Sequence, residues 1–312
     1  MKILFHFDTT DSLAAKTRSM AAPFKVACCP ESSDEAFEAE IGRTEVLWHS
    51  LKPVTAQVIA RAPALRLVQK IGTGVNTIDL EAAKARRIAV CNLPGANGPA
   101  VAEMALLLML ACLRRLRDLD SAVRTPGGWH AVAGMQDSFG EIGGRTVGLV
   151  GFGAVPQVLA GWLATMGAKV VYCARTAREC AYERLPLPDL LARSDIVSLH
   201  VPLNELTQAM MSAASFAQMK PGAILVNTAR GGLVDEAALV AALVSGKLGA
   251  AGLDVFAEEP PSPSNPLLRL PNVVASPHLA WLTQETLERC LTLAVENVRR
   301  LSAGEALMNR VA

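Results

Sequence analysis

The sequence has no excess of charge of either sign: 30 Lys and Arg stand against 29 Asp and Glu in 312 residues, a formal net charge of +1. A nucleic-acid groove or a face for an anionic membrane needs clustered positive charge, so neither is indicated as a partner, and a small ligand is. Cysteines at metal or redox spacing are also missing. The seven present, Cys28, Cys29, Cys91, Cys112, Cys173, Cys180 and Cys290, form no C-x-x-C. That pattern reads as reduced thiols in a cytoplasmic protein, with no disulfide framework and no metal site. No long apolar run occurs. The longest lies between Glu103 and Arg114, from Met104 to Leu113, far short of the roughly 20 residues that cross a bilayer. The apolar N-terminus is interrupted by His6 and Asp8, too early for the core of a signal peptide. Internal repeats and low-complexity tracts are lacking as well. What is there is a globular chain, 51% hydrophobic, long enough for about two domains of roughly 150 residues.

Short apolar runs alternate with stretches of helical period. Strands are predicted at Lys2–Phe7, Glu45–His49, Leu67–Ile71, Ile88–Asn92, Val147–Val150, Lys169–Cys173, Ile196–His200, Ile224–Asn227, Ala250–Val255 and Val273–Ser276. Strands separated by helices build βαβ units, so the fold class is α/β with parallel sheets. After Pro99, the residues Val101, Ala105, Leu108, Met109, Cys112 and Leu116 recur every three or four positions. This predicts one long helix over 99–119, dividing two α/β units. Residues 125–144, glycine-rich and without period, read as an arm or crossing loop. A last helix is predicted over 283–302, placed to pack back on the first unit, and the proline-rich stretch 259–271 is a loop.

Arg145 to Val150 reads as a strand, Gly151-Phe152-Gly153-Ala154-Val155-Pro156 as a tight turn, and Gln157 to Met166 as a helix. A Rossmann phosphate loop has this order, the first glycine making the turn and the second letting backbone approach a pyrophosphate at the helix N-terminus. The backbone from Gly151 to Val155 is therefore the candidate phosphate cradle. The third glycine of the fingerprint is replaced by Pro156, whose ring is tolerated in a first helical turn but would push the helix outward. A glycine turn in an α/β domain without a nucleotide is the competing reading. At the end of the next strand, Tyr172-Cys173-Ala174-Arg175-Thr176 lacks the carboxylate that bonds a ribose 2′-hydroxyl. Arg175 with Thr176 suits a 2′-phosphate, so NADP(H) is the preferred cofactor and NAD(H) remains possible. Alternatively, Arg175 is an ordinary solvated arginine.

Three later segments stand at strand ends: Val226-Asn227-Thr228-Ala229-Arg230-Gly231-Gly232, Gly252 to Pro260, and Ser276-Pro277-His278-Leu279-Ala280-Trp281. With the phosphate loop, Ile71 to Asp79 and Val101-Ala102-Glu103, they resemble the D-isomer-specific 2-hydroxyacid dehydrogenase family, which includes glyoxylate and hydroxypyruvate reductases and 3-phosphoglycerate dehydrogenase. The chemistry also asks for such residues. Reduction of a 2-oxo acid needs its carboxylate held, its carbonyl polarised, a proton supplied and a hydride delivered. Arg230 suits the first two tasks through its planar fork. His278 suits the third, since imidazole titrates near neutrality. Glu259 suits the support of that imidazole, and the family pattern, which places the acid directly before the proline, selects it over Glu258. Taken singly, each residue reads equally as a structural salt bridge, a loop histidine or a solvated turn.

The resemblance implies more. The turn at Thr73 and Gly74 would offer backbone N–H groups to the substrate carboxylate. Thr228 and Ala229 would line the nicotinamide, Ala280 would also touch the cofactor, and Asp254 would meet the carboxamide, unless Asp254 is a strand-end cap. Val201, Pro202 and Thr207 would line the adenosine and phosphate side. Residues Trp48 to Lys52 are expected at the pocket mouth, with Lys52 either drawing a second anionic group or simply solvated. Trp129 and Trp281 would close the pocket or be buried in an interface. The fold implied is two Rossmann-like, doubly wound parallel-sheet domains: a discontinuous substrate domain, 1–98 with 284–312, and an inserted cofactor domain, 99–283, with the site in the cleft and closure by hinge motion. The apolar helix from Pro99 would serve a homodimer. The activity implied is NADPH-dependent reduction of glyoxylate, hydroxypyruvate or a similar small 2-oxo acid to the D-2-hydroxy acid. NAD-linked oxidation of a D-2-hydroxy acid or phosphoglycerate, and a dinucleotide-sensing interaction module, are the alternatives.

Overall fold

The computed structural model describes residues 1–312, apart from the side chains of residues 131–133, and divides them into two units, 1–97 with 282–312, and 98–281. In the first unit the strands are β1 (Lys2–His6), β2 (Lys25–Cys29), β3 (Val46–His49), β4 (Leu67–Lys70) and β5 (Ala89–Cys91). They alternate with helices α1 (Asp11–Met20), α2 (Asp34–Ile41), α3 (Ala56–Ala60) and α4 (Leu80–Ala85). The sheet is parallel, in the order β2-β1-β3-β4-β5. Each helix opens on a side chain that accepts a backbone N–H of its own first turn: Thr10, Ser33, Thr55 and Asp79. β3 and β4 are buried along their whole length, as strands covered on both faces must be. β2, absent from the predicted strands, is a half-exposed edge whose Ala27-Cys28-Cys29 lacks the branched residues that signal a strand.

The C-terminal helix, residues Gln284–Ala303, belongs to this unit. Thr283 caps it, Lys16 of α1 pairs with Glu288 at 2.8 Å, and buried Asn297 donates to Gln69 Oε1 of β4 at 2.7 Å. The chain then lays its last residues against β5, with Val90 N–H donating to the Ala312 carbonyl at 3.0 Å.

The second unit opens with α5 (Gly98–Leu113) and α6 (Leu116–Arg124). Strands and helices then alternate: β6 (Thr146–Val150), α7 (Ala154–Thr165), β7 (Lys169–Cys173), β8 (Glu183–Arg184), α8 (Leu187–Arg193), β9 (Ile196–Leu199), α9 (Ala213–Gln218), β10 (Ala223–Asn227), α10 (Glu236–Val244), β11 (Leu248–Leu253) and β12 (Val273–Ala275). The C-terminal helix of the first unit is α11. All seven strands are parallel, in the order β12-β11-β10-β9-β6-β7-β8. β6 is flanked by β7 on one side and β9 on the other, so the order of connection reverses at its end.

The single helix expected over 99–119 is two helices. Arg115 sits in the left-handed region at φ +49°. It is held there by its guanidinium, which donates to Asp118 Oδ2 at 2.7 Å and to Ser138 Oγ at 3.2 Å. α5 packs on α7 and on β10 and β11, where Gly252 leaves room for Leu108. α6, by contrast, buries no residue. The segment expected as an arm carries two short 3-10 turns, Gly128–Gly134 and Gln136–Ser138. Among the described residues, no helix is long and apolar enough to cross a membrane.

Candidate active site

The end of β10 turns over its own side chain. Asn227 Oδ1 accepts the Ala229 N–H at 3.0 Å while its Nδ2 donates to the Arg230 carbonyl at 2.8 Å, which fixes the direction of Arg230. Gly231 follows in close contact with the segment after β11: a Cβ there would lie 1.9 Å from the carbonyl carbon and oxygen of Phe256. Only glycine permits that approach, and through it the Arg230 loop is seated against the loop that carries Glu259.

Glu259 holds two partners. Its Oε1 accepts the Phe256 N–H at 3.0 Å, and its Oε2 meets His278 Nδ1 at 2.6 Å. With Nδ1 donating to a carboxylate, the proton-carrying tautomer is set and Nε2 is the nitrogen left for a substrate. His278 itself stands at φ +55°, a conformation that costs a non-glycine residue about 1–3 kcal/mol unless its surroundings hold it. Asp254 does the holding. Fully buried at the end of β11, it accepts from Ser276 Oγ at 2.6 Å, Leu279 N–H at 3.0 Å and Ala280 N–H at 2.9 Å. Its carbonyl takes the His278 N–H at 2.7 Å. Of the two roles open to Asp254 in the sequence, the strand-end cap is the one these bonds describe.

Charge follows the same geometry. Burial lowers the pKa of the Arg230 guanidinium, and neighbouring Glu259 works against that shift. For Glu259, burial acts to raise the pKa, but the bond to His278, the Phe256 N–H and the Arg230 charge together hold the carboxyl below its ordinary range. Arg230, Glu259 and His278 thus form one electrostatic unit, a cation and an imidazole sharing a carboxylate that stays ionised.

At the switch point, Gly151 takes φ +96°, and a Cβ on it would lie 2.5 Å from the His200 carbonyl oxygen and 3.0 Å from Val201 Cγ1. The loop after β9 therefore presses directly on the glycine turn, which brings Val201 and Pro202 beside it. Thr207 closes that loop, its hydroxyl accepting the Asn204 N–H at 2.9 Å and donating to the Pro202 carbonyl at 2.7 Å. Gly153 is the N-cap of α7, makes no side-chain cap bond and has open space where a Cβ would stand. The helix starts at Ala154, three residues before the predicted start at Gln157, because Pro156 fits as a buried residue of its first turn. Phe152 is buried and stacks on Tyr172 with ring centroids 4.2 Å apart, which leaves only its backbone to a ligand. Ala154 is exposed and Val155 half-buried.

Arg175 and Thr176 are exposed at the end of β7. Thr228 points inward at the end of β10, and its buried hydroxyl has no hydrogen-bond partner among the described residues. An orphaned hydroxyl at the end of β10 and an uncapped, glycine-lined helix N-terminus after β6, with β9 between the two strands, fit a dinucleotide across those ends. Ala229 follows Thr228, and Ala280 is buried with its N–H committed to Asp254.

Thr73 and Gly74 lie in the first unit, just past β4, apart in the chain from the residues above. Thr73 donates its hydroxyl to the Leu93 carbonyl at 3.3 Å, and its own carbonyl accepts from Asn92 Nδ2 at 2.8 Å. The expectation for 48–52 needs correction. Trp48 is fully buried inside β3, and the Lys52 ammonium bonds the Glu31 carbonyl and the Asp34 carboxylate, so it is a committed cation. Trp281 is buried, whereas Trp129 is 71% exposed. Asn227, Gly231 and Ser276 are site residues that the sequence did not single out; an Asn three positions before Arg230 was the one available signal.

A glycine turn at the switch point of a parallel sheet is where open α/β folds take dinucleotides, which places the second unit among NAD(P)-binding domains. Comparison with known proteins narrows the class. Residues 106–280 match the model of the D-isomer specific 2-hydroxyacid dehydrogenase, NAD binding domain, and the chain belongs to that family. It is 41% identical over 255 residues to a hydroxypyruvate reductase of Thermotoga maritima, covering 80% of this chain and 81% of that one. It is 42% identical over 271 residues to a D-3-phosphoglycerate dehydrogenase of Mycobacterium bovis, covering 85% of this chain but only about half, 50%, of that longer protein. A solved glyoxylate reductase from Paecilomyes thermophila superposes with a TM-score of 0.85 at 29% identity, covering 100% of this chain and 98% of the other.

Proposed function

We propose that the protein reduces small 2-oxo acids to D-2-hydroxy acids, with glyoxylate and hydroxypyruvate as the leading substrates and NADPH preferred over NADH. The observation that carries this reading is the 2.6 Å bond between Glu259 and His278 Nδ1, which turns Nε2 to the substrate, with the Arg230 charge acting on the same carboxylate. Arg230 binds the substrate carboxylate and polarises the carbonyl; His278 Nε2 delivers a proton to the developing alkoxide; Glu259 stabilises the imidazolium before transfer. A nicotinamide dinucleotide bound here would supply the hydride; Gly151 and Gly153 would hold its pyrophosphate at the α7 N-terminus, and the Thr228 hydroxyl would bond its nicotinamide end. Asp254 Oδ2, which accepts one N–H, keeps a lone pair for the carboxamide. Arg175 and Thr176 stand where a carboxylate would exclude a 2′-phosphate, which supports NADPH. The names of the hydroxypyruvate and glyoxylate reductase relatives support the substrate class.

The test is the initial rate of NADPH oxidation with glyoxylate and with hydroxypyruvate, set against NADH. Turnover favouring NADPH is expected, and His278→Ala should lower kcat by about 10²–10⁴ while cofactor binding, read by fluorescence, persists. Retained turnover in that variant would overturn the mechanism. The likeness to D-3-phosphoglycerate dehydrogenase favours a second reading, NAD-linked oxidation of a D-2-hydroxy acid. Activity with NAD and phosphoglycerate, and none in reduction, would select it.

We also propose a homodimer, through α6 and its neighbours instead of the helix from Pro99, because α5 is mostly buried in its own unit. Leu116 and Val123 are 51% and 64% exposed on a helix that buries nothing, and Leu107 and Trp129 add 51% and 71% exposed apolar surface. A second copy of this chain covers that face, and a monomer in light scattering would remove the proposal.

A further inference from the structure

The segment that follows β7 is pinned in a way the cofactor reading does not require. β8 is only Glu183-Arg184, hydrogen-bonded beside Val171 and Tyr172 of β7. From there the Arg184 side chain reaches back along the end of β7. Its Nε donates to the Ala174 carbonyl at 3.0 Å and its Nη2 to the Arg175 carbonyl at 2.9 Å. A second pin lies further along. The Arg178 N–H donates to the Tyr172 hydroxyl at 3.0 Å, and Tyr172 stacks on Phe152, the middle residue of the glycine turn. The excursion between the two strands is thus tied to the phosphate loop at one point and to Arg184 at another.

The electrostatic consequence is specific. Bare carbonyl oxygens at 174 and 175 would present negative dipole ends to any anion beside Arg175. A guanidinium occupying both oxygens turns that edge positive, and it does so at every physiological pH because arginine stays charged. The carboxylate adjacent to Arg184 is also withdrawn: Glu183 is held in a bidentate pair by Arg193 at 2.8 and 2.7 Å. We propose that Arg184 is a cofactor-specificity residue, positioning the Arg175 backbone and adding a fixed charge for the 2′-phosphate of an adenosine ribose. This rests on the NADPH reading given above, in which Arg175 meets that phosphate.

The experiment measures, on the full chain, the affinities of 2′,5′-ADP and ADP and the kcat/KM values for NADPH and NADH, in wild type, Arg175→Ala, Arg184→Ala and Arg184→Lys. In Arg184→Ala the affinity ratio of 2′,5′-ADP to ADP, and the NADPH to NADH ratio, should fall about tenfold, the size of one charge-assisted contact. The change should appear in the KM for NADPH and weaken with added salt. Arg184→Lys, which keeps the charge and loses the bridge between two carbonyls, should recover part of the ratio. Wild type that binds both nucleotides equally would overturn the NADPH reading and this inference with it. Selective wild type, with Arg175→Ala losing the selectivity and Arg184→Ala keeping it, would overturn the role of Arg184 alone. Equal losses for both nucleotides in Arg184→Ala would also overturn it, because a merely structural arginine would act that way.

Discussion

The two units carry the same topological device and use it differently. In each, the first strand is internal and the order of connection reverses at its end: β1 lies between β2 and β3, and β6 between β7 and β9. After β1 the chain reads Phe7-Asp8-Thr9-Thr10, and Thr10 caps α1 by accepting the Leu13 N–H at 3.2 Å. Asp8 adds a carboxylate, bonded by Ser32. After β6 the chain reads Gly151-Phe152-Gly153, and α7 begins with no side-chain cap at all. One helix N-terminus is satisfied by the protein and screened by a negative charge; the other is left for an anion to satisfy. A switch point is therefore a permissive place, and what makes it a nucleotide site is an uncapped helix behind glycines.

The largest way to break this contrast is Gly151→Ala. The new Cβ would meet the His200 carbonyl oxygen at 2.5 Å, at a φ of +96° that L residues rarely adopt. Strain and clash together should cost about 3 kcal/mol and abolish NADPH binding, read by thermal unfolding and fluorescence. Thr10→Ala, the matching lesion in the first unit, should cost about 1 kcal/mol and leave nucleotide binding alone. If Gly151→Ala melts and binds like wild type, the close packing of the β9 loop on the turn is not what shapes the site.

Next in size is a response to acid that both units share. His6 at the end of β1 and His200 after β9 each have a pKa lowered to about 4 by burial. A base whose folded pKa is depressed stays neutral in the fold while the unfolded chain takes up a proton near pH 6.5. Stability is therefore full above that pH and is lost as pH falls from about 6.5 to about 4, by on the order of 3 kcal/mol for each histidine. His200 Nε2 lies 2.9 Å from Ser198 Oγ, so His200→Gln keeps a polar partner there and removes the titration. The stability gap between wild type and His200→Gln, measured by urea unfolding, should close as pH drops through that window. A constant gap would show that the fold does not depress the His200 pKa.

How far these features could be read from the chain depends on where their causes lie. The central strands were legible because strands covered on both faces are dominated by Val, Ile and Leu, as in Val147–Val150 and Ile196–Leu199, each interrupted by a single small residue, Gly148 or Ser198. β8 was not, because Glu183-Arg184 has no apolar signal and exists through its pairing with β7. The break between α5 and α6 was hidden by Leu113 and Leu116, which continue the helical period. It is made by bonds from Arg115 to Asp118 and to distant Ser138. Arg230, Glu259 and His278 were legible as types in order at strand ends. Their supports were less so: Gly231 matters because of Phe256, and Asp254, whose cap role was one of two readings, shows its partners Ser276, Leu279 and Ala280 only in the fold. Lys52 was open to two readings in the sequence, where its bonds to the Glu31 carbonyl and the Asp34 carboxylate cannot be seen.

The smallest change sharpens the comparison most, because it gives the second unit the screened turn of the first. Gly153 has φ −87°, within reach of any residue, and open space at its Cβ position. Gly153→Asp can therefore be accommodated without strain, and aspartate is as good an N-cap as serine or threonine, so stability should stay within about 0.5 kcal/mol of wild type. The carboxylate would take the first-turn N–H groups of α7 for itself and place a negative charge at the proposed pyrophosphate site. The Kd for NADPH should rise at least about tenfold, the equivalent of one lost charge-assisted interaction, while the melting temperature without nucleotide barely moves. Gly153→Ser, which caps without charge, should fall between wild type and Gly153→Asp, and the spacing of the three separates occupied donors from electrostatic repulsion. If Gly153→Asp binds NADPH as wild type does, the α7 N-terminus is not the phosphate site, and the difference between the two switch points lies elsewhere than in their caps.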